Sequence, residues 1–195
     1  MEQNELELVR RAKQGGSDAS DAFAKLYGMI CRDLYRTAFY TLGNEADAEN
    51  IVSDTVLDAY AGIGKLREEK AFRGWIFRIL SNKLKRQLAE YASRREQLSP
   101  SPVEEYADSL GKEEEGLEQA EQQDEICYAF QVLSEEERQI VAMTVYGEKD
   151  SGEIAYLLGL NRNTVRSKYA RALGKMRERL AGIGEAKSGG GNRMK

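Results

Sequence analysis

The chain has 195 residues, of which 41% are apolar and 32% charged, enough for a core and a highly charged surface. It has no histidine and two cysteines, which excludes histidine-based acid/base and nucleophilic chemistry, histidine-containing zinc sites and a four-cysteine metal site. No apolar run approaches the ~20 residues of a membrane span, and the acidic start Met1-Glu2-Gln3-Asn4-Glu5 is unlike a signal peptide, so a cytoplasmic protein without membrane insertion is expected. The cysteines, Cys31 and Cys127, read as reduced, buried, small apolar side chains. Pro100 and Pro102 are the only prolines, and a chain rich in Glu, Lys, Ala and Leu is expected to be all-α.

The net charge of −4 hides strong segregation. Residues 65–95 carry ten Lys/Arg against three acids, and residues 161–180 carry seven against one. Residues 96–125 hold eleven acids against Lys112, and residues 44–58 hold five acids and no base. An acidic overall balance therefore does not exclude nucleic acid as a partner. Ser99-Pro100-Ser101-Pro102 stops any helix, which divides the chain into a first domain at 1–95, an acidic linker at 96–117, a second domain at 118–182 and a flexible tail at 183–195.

In chain order, Leu6 to Ala12 is a short amphipathic lead-in. Phe23, Leu26, Tyr27, Ile30, Leu34 and Ala38 then recur at helical spacing. Gly43-Asn44 breaks that helix, and Ala48, Ile51, Val52, Val56, Ala59 and Tyr60 begin the next. After the polar loop Gly62 to Lys70, a third stripe of Phe72, Trp75, Ile76, Ile79, Leu80, Leu84 and Leu88 leaves Arg73, Phe77, Arg78, Asn82, Lys85 and Arg86 off its apolar face. These elements predict a small helical bundle. The basic third helix, with its aromatics, suits either a solvated surface or backbone charge with base stacking on nucleic acid. Trp75 lies in the apolar stripe, which favours core packing over stacking.

Ala48-Glu49-Asn50-Ile51-Val52-Ser53-Asp54 followed by Trp75-Ile76-Phe77-Arg78-Ile79-Leu80-Ser81-Asn82 resembles region two of bacterial RNA polymerase sigma factors, most closely the extracytoplasmic-function group. The resemblance implies a polymerase contact on the acidic helix, at Glu45, Asp47, Glu49, Asn50, Ser53 and Asp54. It also implies −10 DNA contacts from the loop, at Lys65, Arg67 and Lys70, and from the basic helix, at Arg73, Arg78, Asn82, Lys83, Lys85 and Arg86. Asn50 and Ser53 stand where the family usually has Asp and Gln, and Arg86 where an Asp is common.

In the second domain, Ser134-Glu135-Glu136-Glu137 is a capping box that opens a helix carrying Ile140, Val141, Thr144 and Val145 and ending at Gly147. Asp150 to Glu153 is another, opening a short helix with Ile154, Ala155, Leu157 and Leu158. Gly159-Leu160-Asn161 forms a tight turn, and Asn161 caps a helix expected to bury Val165, Tyr169, Ala172, Leu173, Met176 and Leu180. Two helices joined by a short Gly turn, the second strongly basic, describe a helix-turn-helix. Arg162, Asn163, Arg166, Ser167 and Arg171 fall on the face away from the apolar stripe, suited to base edges in a major groove. Lys168 and Lys175 flank that face as candidate phosphate contacts.

Glu153-Ile154-Ala155, Leu158-Gly159-Leu160-Asn161 and Thr164-Val165-Arg166-Ser167-Lys168 resemble sigma region four, and two such segments in order are more specific than either alone. The resemblance adds Thr164 to the −35 contacts. It implies a sigma factor that binds core RNA polymerase, reads duplex −35 DNA and opens the −10 element, with no catalytic residues, metal or cofactor of its own. It also implies an acidic linker lying in the polymerase channel, and an anti-sigma protein as a further possible partner. A stand-alone helix-turn-helix regulator would explain residues 134–180 but not the acidic helix or the aromatic basic helix. An enzyme finds no Gly-rich phosphate loop and no carboxylate pair of recognisable spacing.

Overall fold

The computed structural model describes residues 3–97 and 125–189, and these are helical and turn structure without strands. Of the acidic connector expected at 96–117, the first two residues continue the fourth long helix; the rest, with Ser99 to Pro102 and Glu104 to Gln123, lies outside the described residues. In the first half, α1 spans Gln3–Gln14, α2 Ala19–Leu42, α3 Glu45–Gly62 and α4 Phe72–Gln97. In the second half, residues 125–130 form α5, followed by α6 at Glu135–Val145, α7 at Ser151–Leu158 and α8 at Arg162–Gly189. α8 stays helical past residue 182, into the stretch the sequence marks as a tail.

Local chemistry sets the boundaries. Gly43 adopts φ 70° and closes α2 by donating its amide to the Phe39 carbonyl, while the Asn44 side chain caps α3 through the Asp47 amide at 2.9 Å. Both expected capping boxes form: Ser134 with Glu137, and Asp150 with Glu153. Gly159, at φ 70°, ends α7, and Asn161 accepts the Asn163 amide at 2.8 Å to start α8. The polar loop between α3 and α4 contains two 3₁₀ turns, Ile63–Lys65 and Glu69–Ala71. Ile63 and Leu66 root it in the core, and Lys13 of α1 ties it down through Glu69 at 2.8 Å and the Arg67 carbonyl.

The expected stripes of α2, α3 and α4 converge in one core containing Leu26, Ile30, Leu34, Ile51, Val52, Phe72, Ile76, Leu80 and Leu84. Trp75 is half-buried beside Phe72 and lies over Gly62, where its ring would stand 3.2 Å from an added Cβ; it packs rather than offers a free stacking face. The same core runs on into the second half through Phe130, Leu133, Val141, Ala142 and Ala172. Tyr40 is the junction: its ring stacks on Tyr146 at 4.9 Å and 12° and meets Phe130 at 4.7 Å. Arg36 adds its guanidinium over the Tyr146 ring at 5.7 Å. Ile140, Met143, Ile154, Ala155 and Val165 form a smaller core between α6, α7 and α8.

Several sequence expectations change: Tyr27 and Tyr60 of the apolar stripes are exposed, and Cys31 and Cys127, expected to be buried, are half-buried. Phe77, placed off the apolar stripe, is buried, because the turn after α6 covers it: Gly147 lies against its ring, and the Lys149 ammonium sits 5.1 Å from the ring centroid. Leu173 and Leu180, expected in the core, are exposed because they point away from the side of α8 that packs, which Ala172, Met176 and Arg179 occupy. Val145 is exposed because it turns outward in the last turn of α6. Gly147 is a sensitive point, since a Cβ there would stand 2.7 Å from the Met143 carbonyl oxygen and 3.0 Å from Phe77 Cε1. Gly147→Ala is expected to cost roughly 1–3 kcal/mol of stability by overpacking, read as a lower midpoint in urea denaturation, whereas Gly174→Ala, with open space around it, should not destabilise.

Candidate polymerase and nucleic-acid interfaces

On α3 the acids separate into two sets. Asp47 accepts a short hydrogen bond from the Tyr91 hydroxyl of α4, and the Tyr91 hydroxyl is pushed up by burial and then by that carboxylate. Glu45 engages Tyr35, whose hydroxyl is raised to about 12 by burial and by the charges of Glu45 and Glu49. Asp58 pairs with Lys83 at 2.7 Å. Glu49, Asn50, Ser53 and Asp54 are exposed on one side of the helix, and Leu57 continues that side at 66% exposure. Spacings of one, four and five residues keep them together on a helix. Of the expected polymerase contacts, four therefore form an outward face, while Glu45 and Asp47 are drawn back into the bundle.

The −10 candidates also divide. Arg73 turns inward to Glu5 at 3.0 Å and lies 3.8 Å from Asp33; Glu5 is otherwise a buried carboxylate. Lys83 is held by Asp58. Lys65, Arg67 and Lys70 are exposed on the loop, and Arg78, Asn82, Lys85 and Arg86 on α4. Arg86 lies 3.4 Å from Glu90 on its own helix. Arg78, Asn82 and Lys85, at spacings of four and seven, share one side of α4. This side meets α7: the Arg78 guanidinium is 5.3 Å from the Tyr156 ring centroid, and the Lys85 ammonium donates to the Leu157 carbonyl at 2.7 Å.

On α8, Arg162, Asn163, Arg166, Ser167 and Arg171 are all exposed and Thr164 is half-buried at their edge. Arg162 reaches back to the Ser151 hydroxyl at 3.1 Å, linking the starts of α7 and α8. Arg171 bonds the Ser167 carbonyl at 3.3 Å, and Ser167 the Thr164 carbonyl at 3.0 Å. Lys168 and Lys175 do not join this face. Lys168 pairs with Glu136 at 2.6 Å and Lys175 with Glu137 at 2.8 Å, both across the seam to α6. The sequence carried a signal for this: the two lysines stand three residues beyond Val165 and Ala172, at the border of the apolar stripe, facing the acidic first turn of α6.

Burial pushes the Glu137 carboxyl up, but the Lys175 ammonium and the Ser134 amide and hydroxyl outweigh it and hold the group below its ordinary value. Among the described residues, no group of three or more His, Cys, Asp or Glu side chains is placed to hold a metal ion, and no helix is long and apolar enough to cross a membrane.

The sequence matches the family model for sigma-70 region 2 over residues 26–94 and that for sigma-70 region 4 over residues 124–176. The chain belongs to the sigma-70 family. Its members are DNA-binding transcription initiation factors. The chain is similar to RNA polymerase sigma factor NccH of Alcaligenes xylosoxydans xylosoxydans, at 29% identity over 87% of this chain and 90% of that one. It is also similar to the ECF RNA polymerase sigma factor SigW of Bacillus subtilis, at 22% identity over 90% and 98%. In fold it resembles the sigma factor RpoE solved in complex with the anti-sigma factor NepR from Bartonella quintana, with a TM-score of 0.62, 18% identity and coverage of 82% and 96%.

Because the folded-state Glu137 carboxyl is lowered, the unfolded chain binds that proton more readily, and the pair stabilises the sigma factor above the ordinary carboxylate range near ~4.3. That contribution is lost as pH falls through the folded value. Glu137→Gln is expected to lower stability by about 1–3 kcal/mol at neutral pH, with the gap to the wild type closing in acid. Denaturation midpoints measured from pH 7 down to the acid limit check both points.

Proposed function

We propose that this chain is a two-domain, extracytoplasmic-function sigma factor that binds core RNA polymerase and directs initiation at promoters with its own −35 and −10 elements. The observation that carries the reading is the pairing, in one chain, of an outward acidic face on α3 with the exposed arginine face of a capped helix-turn-helix. A stand-alone regulator needs only the second. In this reading Glu49, Asn50, Ser53 and Asp54, with Leu57 among them, meet polymerase. Charge repulsion among the acids of α3 costs the free helix a little, and a basic partner relieves it. Lys65, Arg67 and Lys70, with Arg78, Asn82, Lys85 and Arg86, take the separated −10 strand through backbone charge and base contact.

Arg162, Asn163, Arg166, Ser167 and Arg171 enter the major groove of the −35 duplex. Guanidinium forks and the Asn amide there match purine edges, while the start of α7 crosses the backbone. Lys168 and Lys175 serve by fixing α8 on α6, so that the reading face is presented rigidly; any phosphate contact from them requires exchange of an internal carboxylate. Polymerase supplies the chemistry, and the sigma factor has no catalytic residue of its own. It acts in the cytoplasm, where polymerase is, and an anti-sigma protein is a further partner by analogy with the relative solved with one.

Charge reversal at Glu49 and Asp54, both exposed, is expected to weaken core-polymerase binding at least about tenfold, since like charges across an interface cost on the order of a few kcal/mol. The fold should remain intact by circular dichroism, and affinity is read by titration against core enzyme; unchanged affinity removes the polymerase role of α3. Arg166→Ala is expected to change which −35 bases are tolerated, costing ~1–3 kcal/mol at the contacted base pair. Run-off transcription from a promoter pool shows the change as a shift in sequence preference, whereas uniform weakening would move base readout away from Arg166.

A further inference from the structure

The loop between α3 and α4 presents Lys65, Arg67 and Lys70 to solvent. Its regular structure is two 3₁₀ turns of three residues each, joined through Leu66 and Glu68 in extended backbone. Each turn is closed by one loop hydrogen bond, the Leu66 amide on the Ile63 carbonyl and the Ala71 amide on the Glu68 carbonyl. The remaining hold on the polar part of the loop comes from α1. Lys13 donates its ammonium to Glu69 at 2.8 Å and stands 3.5 Å from the Arg67 carbonyl. The two side chains of the pair are largely covered, at 18% and 30% exposure. The Lys13 hydrogen bond holds the Glu69 carboxyl below its ordinary value, so the pair is charged at neutral pH.

α1 also holds the exit of the loop. Its Glu5, a buried carboxylate, receives Arg73, the second residue of α4, at 3.0 Å. Glu5, Val9 and Lys13 recur at four-residue spacing, so they run along one side of α1, and Val9 between them is fully buried. That spacing sets the acid and the lysine about 12 Å apart along the helix, one at each end of a strut beside the loop. A helix that only covered apolar surface would have no use for a buried acid and a half-buried lysine on its packed side. The region 2 match begins at residue 26, so Glu5 and Lys13 lie outside the stretch that defines the family.

We propose that Lys13 is a positioning residue for promoter opening, fixing the α3–α4 loop from α1 in the conformation that receives an unpaired −10 base. This rests on the −10 role given to that loop in the proposed function. Lys13 itself contacts no DNA. It clamps the backbone at Arg67 and the side chain of Glu69, so that the Arg67 and Lys70 side chains between and beside them are held outward. An unpaired base must be captured before the duplex recloses. A loop that is in the receiving conformation only part of the time captures it with affinity reduced by that fraction. The strand would then have to supply the entropy of ordering the loop. Polymerase binding by α3 and duplex readout by α8 draw on other residues, so loss of the clamp acts on strand opening alone.

The test uses the full-length chain with core polymerase, on promoters that the wild type selects from a genomic pool. Lys13→Glu sets a carboxylate against Glu69 and the Arg67 carbonyl. Permanganate reactivity of the −10 thymines is expected to fall about three- to fivefold, the population lost with one partly covered charged pair. Core-polymerase affinity, titrated directly, should stay that of the wild type. Adding Glu69→Lys to Lys13→Glu keeps the summed side-chain length and restores the pair, so opening should recover. Trp75, the single tryptophan, lies over Gly62 at the entry of the loop, so its quenching by acrylamide reads loop order in the free protein. Quenching should rise in Lys13→Glu and return to the wild-type value in the double variant. Wild-type opening by Lys13→Glu overturns the positioning role, as does a loss that Glu69→Lys fails to recover or a matching loss of polymerase affinity. Arg67→Ala, assayed in parallel, tests the −10 role of the loop itself. Weaker opening by Arg67→Ala with none by Lys13→Glu overturns the positioning role alone, and unchanged opening by both overturns the −10 role with it.

Discussion

Burial of Tyr40 joins the two halves of the molecule. It stands near the end of α2, where Thr37 to Leu42 are all buried, so the helix is covered on every side there. The first half closes on one side of it and α5, α6 and the Tyr146 turn on the other. Burial raises the Tyr40 hydroxyl, with further contributions from Tyr146 beside it. Each aromatic side chain in such a cluster removes about 150–250 Å² from water, worth several kcal/mol at ~25 cal/mol per Å². The trio Tyr40, Phe130 and Tyr146 thus anchors one half on the other, together with Leu133, Val141, Ala142 and Ala172 in the same core.

Charge is then sorted by what the packing leaves over. Arg73 neutralises buried Glu5, Lys83 neutralises Asp58, and Lys168 and Lys175 neutralise Glu136 and Glu137. Subtracting these pairs from the charge-segregated sequence leaves three outward faces: acidic and apolar on α3, basic on α4 with its loop, and basic on α8. Each is simpler than the run of charges that encodes it.

The stripes, the breaks and the caps were legible in the sequence because each is local: Gly43-Asn44, Ser134 with Glu137 and Asp150 with Glu153 depend on neighbours within a few residues. The exposed arginine face of α8 was legible for the same reason, since helical spacing alone separates exposed Arg166 from buried Val165. What was not legible depends on contacts distant in sequence. Phe77 reads as off the core until the turn at Gly147 covers it, and Asp47 reads as a free acid until Tyr91 reaches it. Lys175 reads as a phosphate contact until Glu137 is placed opposite. The run Phe39-Tyr40-Thr41-Leu42 did carry a hint, being apolar or small all round a helix that the first half alone covers on one side.

The internal pairs differ in how readily a partner can replace them. Asp58 is 60% exposed in its pair with Lys83, and exposed ion pairs contribute little, typically ~0–1 kcal/mol. A phosphate or a polymerase side chain can take over either member at small cost. Lys85 on the Leu157 carbonyl is in the same position, exposed and held by a single neutral acceptor. Glu137 is different: its carboxylate is buried, closes the cap of α6 and receives Lys175 on both oxygens at 2.8 Å. Removing Lys175 to a ligand leaves that charge uncompensated, which costs far more than an exposed exchange returns. The α4 side of the molecule is therefore built to change partners, and the α6–α8 seam to keep them, a division that suits the strand-binding and duplex-reading roles proposed for the two sides.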